Sequence, residues 1–170
     1  MGLTRYRSID SPVGLLTLAG QGDCLTNLVM KDTAHPPSDR SSWVEDAAAF
    51  PEIVAQLAAY FAGERTGFDV ALCPVGTSFQ RRVWDELSEI PYGETRSYGE
   101  IACRIGQPGA ARAVGLANGR NPIAVIVPCH RVVGANGALT GYAGGLPAKR
   151  ALLDLEALTR RHGARARDLD

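Results

Sequence analysis

The chain has 170 residues, 45% of them hydrophobic, and a formal net charge of zero. That is enough apolar material for a core in one domain or two small ones. Its four cysteines, Cys24, Cys73, Cys103 and Cys129, stand far apart with no Cys-x-x-Cys pair, which argues against a zinc knuckle and against a disulfide scaffold. The N-terminus lacks a signal-peptide apolar region and no apolar run approaches a membrane span, so a reducing, cytoplasmic location without membrane attachment is expected.

The charge is unevenly placed. Residues 1–79 carry five Lys/Arg against nine Asp/Glu, residues 80–150 carry nine against five, and residues 101–150 hold six basic groups and no acidic one. Such asymmetry points to a C-terminal half that faces nucleic acid, or equally to an ordinary solvated face.

In chain order, Tyr6–Ile9 and Val13–Leu18 read as strands, and Gly20–Asp23 as the turn of a hairpin that continues with Cys24–Met30. Lys31–Ser42, with adjacent prolines, is a loop. The recurrence of Phe50, Ile53, Val54, Leu57, Tyr60 and Phe61 predicts a helix over Asp46–Phe61, ended by Gly63. Phe68–Leu72 could return as a strand. Thr77-x-x-Gln80 is a capping box that opens a helix with Val83, Trp84, Leu87 and Ile90 on one stripe, stopped by Pro91. A second box, Ser97-x-x-Glu100, opens another helix, broken at Gly106–Gly109 and followed by a helix over about Ala110–Asn118. Helix, Gly-containing turn, helix is helix-turn-helix spacing. Ile123–Val127 reads as a buried strand, Asn136-Gly137 as a hairpin-type turn and Gly141–Gly145 as a Gly-rich loop. A last helix begins around Pro147 and ends near Leu158, and the Arg-rich remainder has little to bury and should fray. The expected domains are 1–76, sheet and helix; 77–158, helix-turn-helix with the chemistry; and 159–170, a flexible tail.

Pro128-Cys129-His130 is the candidate reactive segment. Pro128 cannot donate to a strand ladder, so Cys129 and His130 should sit on a turn that aims both side chains at one place. A thiolate is the nucleophile, and a neighbouring imidazole, directly or through a water, can take the thiol proton. A bare Cys-His pair is equally what a buried structural cysteine beside a chance histidine would look like.

The segment Asn121-Pro122-Ile123-Ala124-Val125-Ile126-Val127-Pro128-Cys129-His130-Arg131-Val132 resembles the active-site signature of the O6-alkylguanine-DNA alkyltransferases. The likeness extends to Ile90–Tyr98, Ala111–Gly115 and Gly141–Gly145, over about residues 77–156. It implies an α+β fold, with a small ribonuclease-H-like N-terminal domain and a mainly helical C-terminal domain containing a helix-turn-helix. It also implies direct transfer of an alkyl group from O6-alkylguanine, and from O4-alkylthymine, to Cys129. The thioether formed would end the protein's activity after one turnover, with no metal and no cofactor.

The resemblance also distributes roles. His130 would be the base and Glu156 its orienting carboxylate, with Tyr98 donating a hydrogen bond to the departing guanine. Asn121 would tie the turn before Cys129. Tyr142 and the Ala143 backbone would wall the pocket, and the Val132 carbonyl would accept from the base's amine. Ala143 stands where some relatives carry serine, so no side-chain hydroxyl is available there. Arg112 would enter the base stack as a finger while Ala111 and Gly115 let the helix approach double-stranded DNA. That DNA would be bound through the minor groove, with the damaged nucleotide flipped out. The small residues of that helix suit shape more than base reading, since major-groove readers carry long polar side chains. The expected protein is a monomer, and cooperative binding along DNA is compatible with it. Three other functions compete with this one: an alkylguanine-sensing DNA-binding module, a regulator switched by cysteine methylation, and a cysteine hydrolase. The presence of Cys129, the lack of a second DNA-binding domain and the small-faced helix argue against them in that order.

Overall fold

The structure is a computed structural model that describes residues 2–168, with side chains to residue 163. Strands β1 (Arg5–Ile9), β2 (Leu16–Gln21), β3 (Cys24–Met30) and β4 (Val44–Glu45) form one sheet in the order β3-β2-β1-β4. β1, β2 and β3 pair antiparallel in succession, and β4 adds to β1 in parallel. The hairpin turn is Gly22-Asp23, because β2 runs on to Gln21 and Gly22 takes a φ of 57°.

Helix α1 covers Pro51–Phe61, five residues shorter at its start than the apolar spacing suggested. Proline disfavours helical geometry at the residue before it. Phe50 leaves the right-handed helical region and sits in the left-handed one at φ 54°, and Asp46–Ala49 form a turn in which Ala49 N–H donates to Asp46 O. Phe68–Leu72 does not form a strand. Leu72 alone bridges to Leu25, with Leu25 N–H donating to Ala71 O and Cys73 N–H to Leu25 O.

Helix α2 (Ser78–Leu87) is opened by the expected capping box, with Gln80 N–H donating to the Thr77 hydroxyl and Thr77 N–H to the Gln80 side chain. It ends at Leu87, and a turn carries Ile90 into the core before Pro91. β5 (Arg96–Ser97) leads into α3 (Tyr98–Arg104), whose Ser97/Glu100 box is also complete. After the Gly106 turn comes α4 (Ala111–Gly119), which packs on both α2 and α3. Trp84 Nε1–H donates to Ala117 O at 2.9 Å, so Ala117 serves close helix packing, while Ala113 on the same helix is exposed.

The buried run Ile123–Val127 is a coiled loop and not the expected strand. Residues 123, 125 and 127 are buried, so the alternating pattern is real. Only Ile123 finds a strand neighbour, Leu28 of β3. Val125 then turns at φ 69°, and Val127 N–H reaches back to Ile123 O at 3.0 Å. The loop ends in a 3-10 turn, Cys129–Arg131, followed by β6 (Val132–Val133), which pairs in parallel with β5. At the expected Asn136-Gly137 turn the chain folds back, with Gly134 N–H donating to Ala138 O.

Helix α5 runs Leu146–Asp168, well past Leu158. The segment expected to fray has partners: Thr159 packs on Gly63, and Arg160 donates to Gly93 O at 3.3 Å.

The cysteines also correct the sequence reading. Cys24 and Cys73 form a disulfide, Cα–Cα 5.8 Å, at the end of the β3 edge. Sequence separation hid the pairing, because the two cysteines are 49 positions apart at places that the Leu25–Leu72 bridge makes neighbours. The cysteines therefore do not by themselves argue for a reducing compartment. Among the described residues no helix is long and apolar enough to cross a membrane.

One buried cluster joins Leu16, Leu18, Leu25 and Leu28 of the sheet to Leu57 and Tyr60 of α1, Leu87 and Ile101 of the helical region, and Leu152 of α5. The β3 edge is where the halves meet, because Leu28 N–H donates to Pro122 O and Ala124 N–H to Leu28 O. A shared core makes unfolding cooperative. The two tryptophans, Trp43 beside the sheet and Trp84 in α2, are both buried and report separately. Urea unfolding of Trp43→Phe and of Trp84→Phe, read by the remaining tryptophan, should show matching loss of the two halves in a single transition each. Leu28→Ala should lower stability by about 2–5 kcal/mol for both reporters alike. A biphasic curve, or a loss confined to one reporter, would disprove the shared core.

Candidate active site

Cys129, His130 and Arg131 occupy the 3-10 turn and are all buried, as is Glu156 on α5. The turn is held from several sides. Asn121 donates to Val127 O at 2.8 Å and accepts from Ile123 N–H at 3.1 Å, closing the loop before it. Asn118, at the end of α4, donates to the Cys129 carbonyl at 3.4 Å. β6 is held against β5, which brings Tyr98, the first residue of α3, close to the strand carrying Val132.

The Glu156 carboxylate collects five donors. Oε2 accepts from the Tyr60 hydroxyl at 2.5 Å, His130 Nε2 at 2.7 Å and Arg131 Nη2 at 3.1 Å. Oε1 accepts from Arg131 Nε at 2.8 Å and Gly93 N–H at 3.2 Å. Arg131 donates in addition to Ile90 O at 2.8 Å and lies over the Tyr92 ring. Burial pushes the Glu156 carboxyl up, but the hydrogen bonds from His130 and Arg131 and their charge outweigh it and hold it at about 2.

An ionised Glu156 only accepts, so His130 Nε2 must carry a hydrogen. Burial pushes the imidazole below its ordinary value of 6.5, against the pull of Glu156. The ring is then neutral, with its lone pair on Nδ1, and Nδ1 is buried with no hydrogen-bond partner among the described residues. That leaves one ready proton acceptor beside the cysteine. Burial raises the Cys129 thiol, with Asn121, the Lys149 charge and Tyr142 pulling the other way. Thiol and imidazole are both neutral at rest, in a place where a nearby positive charge favours the thiolate.

A cavity of about 280 Å³ opens on Cys129 and is lined also by Asn121, Tyr142, Ala143, Gly144 and Met30. The Gly-rich loop can lie so close because Gly144 has no side chain: a Cβ there would come within 2.2 Å of Met30 Sδ. Ala34 N–H donates to Ala143 O at 2.8 Å, fastening that loop to the N-terminal half. The Val132 carbonyl accepts from Lys149 Nζ at 2.6 Å, which leaves it one further lone pair. Tyr98 and Thr140 hydroxyls bond each other at 2.8 Å at the exposed side. Ala111, Arg112 and Gly115 lie apart from this cluster on α4, where Arg112 is exposed and Gly115 faces the Tyr98 ring. Among the described residues no cluster of three or more His, Cys, Asp or Glu could hold a metal ion.

Two family models match the chain: "6-O-methylguanine DNA methyltransferase, ribonuclease-like domain" over residues 4–74, and "6-O-methylguanine DNA methyltransferase, DNA binding domain" over residues 78–158. The chain belongs to the 6-O-methylguanine DNA methyltransferase family. Among its relatives, the methylated-DNA–protein-cysteine methyltransferase of Mycobacterium tuberculosis H37Rv is 66% identical over 154 residues, 91% of this chain and 93% of that protein. The protein of the same name from Methanosarcina acetivorans is 57% identical over 151 residues, 89% of this chain and 97% of that protein. The solved structure of M. tuberculosis OGT in complex with DNA superposes with a TM-score of 0.89 at 65% identity, over 91% of this chain and 94% of that one. The fold is accordingly a ribonuclease-like N-terminal region followed by a helical C-terminal region.

In this member of the 6-O-methylguanine DNA methyltransferases the buried cluster draws on both family regions, Tyr60 from the first and His130, Arg131 and Glu156 from the second. The sequence reading missed four of its parts: Tyr60, Arg131, Lys149 and Asn118. Lys149 was within reach, since 149, 152 and 156 follow helical spacing and place a cation on the buried stripe of α5. Arg131 stood inside the recognised motif without a role. Tyr60 was indistinguishable from an ordinary core aromatic.

The shifts fix how stability depends on acid. Glu156 falls from 4.5 unfolded to about 2 folded, so its contribution is complete above pH 4.5 and is lost as the pH drops towards 2. The folded value of His130 also lies below its unfolded 6.5, so its loss sets in earlier, as the pH drops below 6.5. Urea midpoints from pH 8 to pH 3 should therefore fall in two successive windows. Glu156→Gln should cost about 3–5 kcal/mol at pH 7, because the Arg131 charge loses its partner, and should flatten the lower window. A variant whose midpoints track the wild type between pH 5 and pH 3 would refute the assignment.

Proposed function

We propose that this protein repairs alkylated DNA by moving the alkyl group from guanine O6, and from thymine O4, onto Cys129. The observation that carries the reading is the unpartnered Nδ1 of a neutral, buried His130 next to a buried cysteine, with its other nitrogen held by Glu156. The names of the relatives, methylated-DNA–protein-cysteine methyltransferases, support the same reaction.

In the proposed step the Cys129 proton passes through one water to His130 Nδ1, giving thiolate and imidazolium. Glu156 stabilises the imidazolium. The sulfur attacks the alkyl carbon, the C–O6 bond breaks, and its electron pair passes to the guanine, which the Tyr98 hydroxyl helps by donating a hydrogen bond. The thioether has no easy return, so each chain acts once. Asn121 keeps the turn in shape, Tyr142 and the Ala143 N–H face the base, and the free lone pair of the Val132 carbonyl accepts from the exocyclic amine.

Double-stranded DNA is the partner, approached through its minor groove by α4. Arg112 is exposed near the start of that helix and enters the gap left by the flipped nucleotide, while Ala111 and Gly115 keep the helix low. Flipping costs roughly a few kcal/mol, which a finger residue offsets. The domains divide at about residues 76–77, and the protein acts as a cytoplasmic monomer.

Intact and peptide mass spectra after incubation with duplex DNA bearing O6-methylguanine should show one methyl per chain, on the Cys129 peptide. Cys129→Ala should show none. Repeated turnover, or methyl on Cys103, would contradict the reading. Arg112→Ala should keep its rate with free O6-benzylguanine and slow on duplex DNA, and equal loss on both would remove the finger role. Affinity for duplex should fall as salt rises, since phosphate contacts release counterions; an unchanged affinity would argue against a charged interface.

A further inference from the structure

Tyr60 belongs to the N-terminal region, yet its hydroxyl lies 2.5 Å from the carboxylate oxygen that holds His130. It is fully buried, with its ring fixed against Phe61, Phe68 and Tyr92 at centroid distances of 5.2, 5.4 and 6.1 Å. The hydroxyl is aimed with little freedom. A carboxylate offers about four acceptor sites, and His130, the two Arg131 bonds and Gly93 already fill them. A fifth donor is thus unnecessary for satisfying Glu156. It instead draws on the electron density of Oε2, which His130 shares.

We infer that Tyr60 is a positioning residue for the alkyl transfer, its hydroxyl setting how strongly Glu156 supports the His130 imidazolium. This rests on the alkyl-transfer reading above. Through this bond the N-terminal region takes part in the chemistry and does not only support it. Burial and the Glu156 charge keep the Tyr60 phenol protonated far beyond the working range, so it acts as a permanent donor. The other groups around the pair are the fixed cation Arg131, the Lys149 ammonium that donates to the Val132 and Thr140 carbonyls, and the phenols of Tyr92 and Tyr142, both raised by burial. Of this set, His130 has the ordinary value nearest neutrality.

The test is the pH profile of Cys129 alkylation by free O6-benzylguanine, a substrate that bypasses DNA binding, on the full chain. Its acid limb reports protonation of His130. Tyr60→Phe removes a donor from Oε2, strengthens the imidazolium and should move that limb up by about one pH unit. Tyr60→3,5-difluorotyrosine, a stronger donor of nearly the same size, should move it down. Phe61→Leu disturbs the same ring stack without touching Glu156; it should lower stability and leave the limb in place. A limb unmoved by both Tyr60 variants, or moved as far by Phe61→Leu, would reduce Tyr60 to packing. If Tyr60→Phe does not fold, the fluorinated variant decides by the sign of its shift. Should the wild type take up neither the benzyl group nor the methyl group of O6-methylguanine in duplex DNA, the alkyl-transfer reading fails. The His130 titration followed by NMR in the same variants still decides whether Tyr60 sets its basicity.

Discussion

A buried carboxylate has to be surrounded by donors, and Glu156 draws them from three parts of the chain. α1 supplies Tyr60, the loop before β5 supplies the Gly93 amide, and the 3-10 turn supplies His130 and Arg131, all meeting on α5. An isolated charge in such a place would be costly. The five contacts make it an anchor instead, and they fix the relative placement of the elements that carry the site. Misplacing any of these elements would leave a charge or a polar group unmatched.

The chemistry follows from this anchor. Because Glu156 stays ionised, it dictates the His130 tautomer and leaves Nδ1 as the acceptor. Because both groups are buried, neither thiol nor imidazole is charged at rest, and charge develops only when a proton moves between them. Lys149, held by two carbonyls, supplies the positive charge that favours thiolate. The cavity that opens on the sulfur is shaped from both halves of the protein, with Met30 and the Ala34–Ala143 bond on one side and the Gly-rich loop on the other.

Local features were legible in the chain. Both capping boxes formed as spaced, since each needs only residues three apart. The turn before α4 followed from Gly106, and the turn at Cys129 from Pro128 and the motif. Features that depend on distant neighbours were misread. Ile123–Val127 alternates like a strand, but it meets a strand edge at a single bridge, and Asn121 bends the rest. The Cys24–Cys73 pair needed the β3 edge to bring it together, and the continuation of α5 needed Gly63 and Gly93 as surfaces to lie on.

The sequence by itself determined the family and the adjacent placement of Cys129 and His130, because these lie in one contiguous segment whose residue types and order are read directly. It also determined where two of the helices, α2 and α3, begin, because their caps are local hydrogen bonds. Only the tertiary structure decided that Glu156 is an ion with five donors, that Arg131 and Lys149 are part of the site, and that a tyrosine 96 positions away touches the same oxygen as His130. Those facts depend on which side chains are buried together. Burial is what gives a charge or a hydroxyl its meaning, and no spacing along the chain records it.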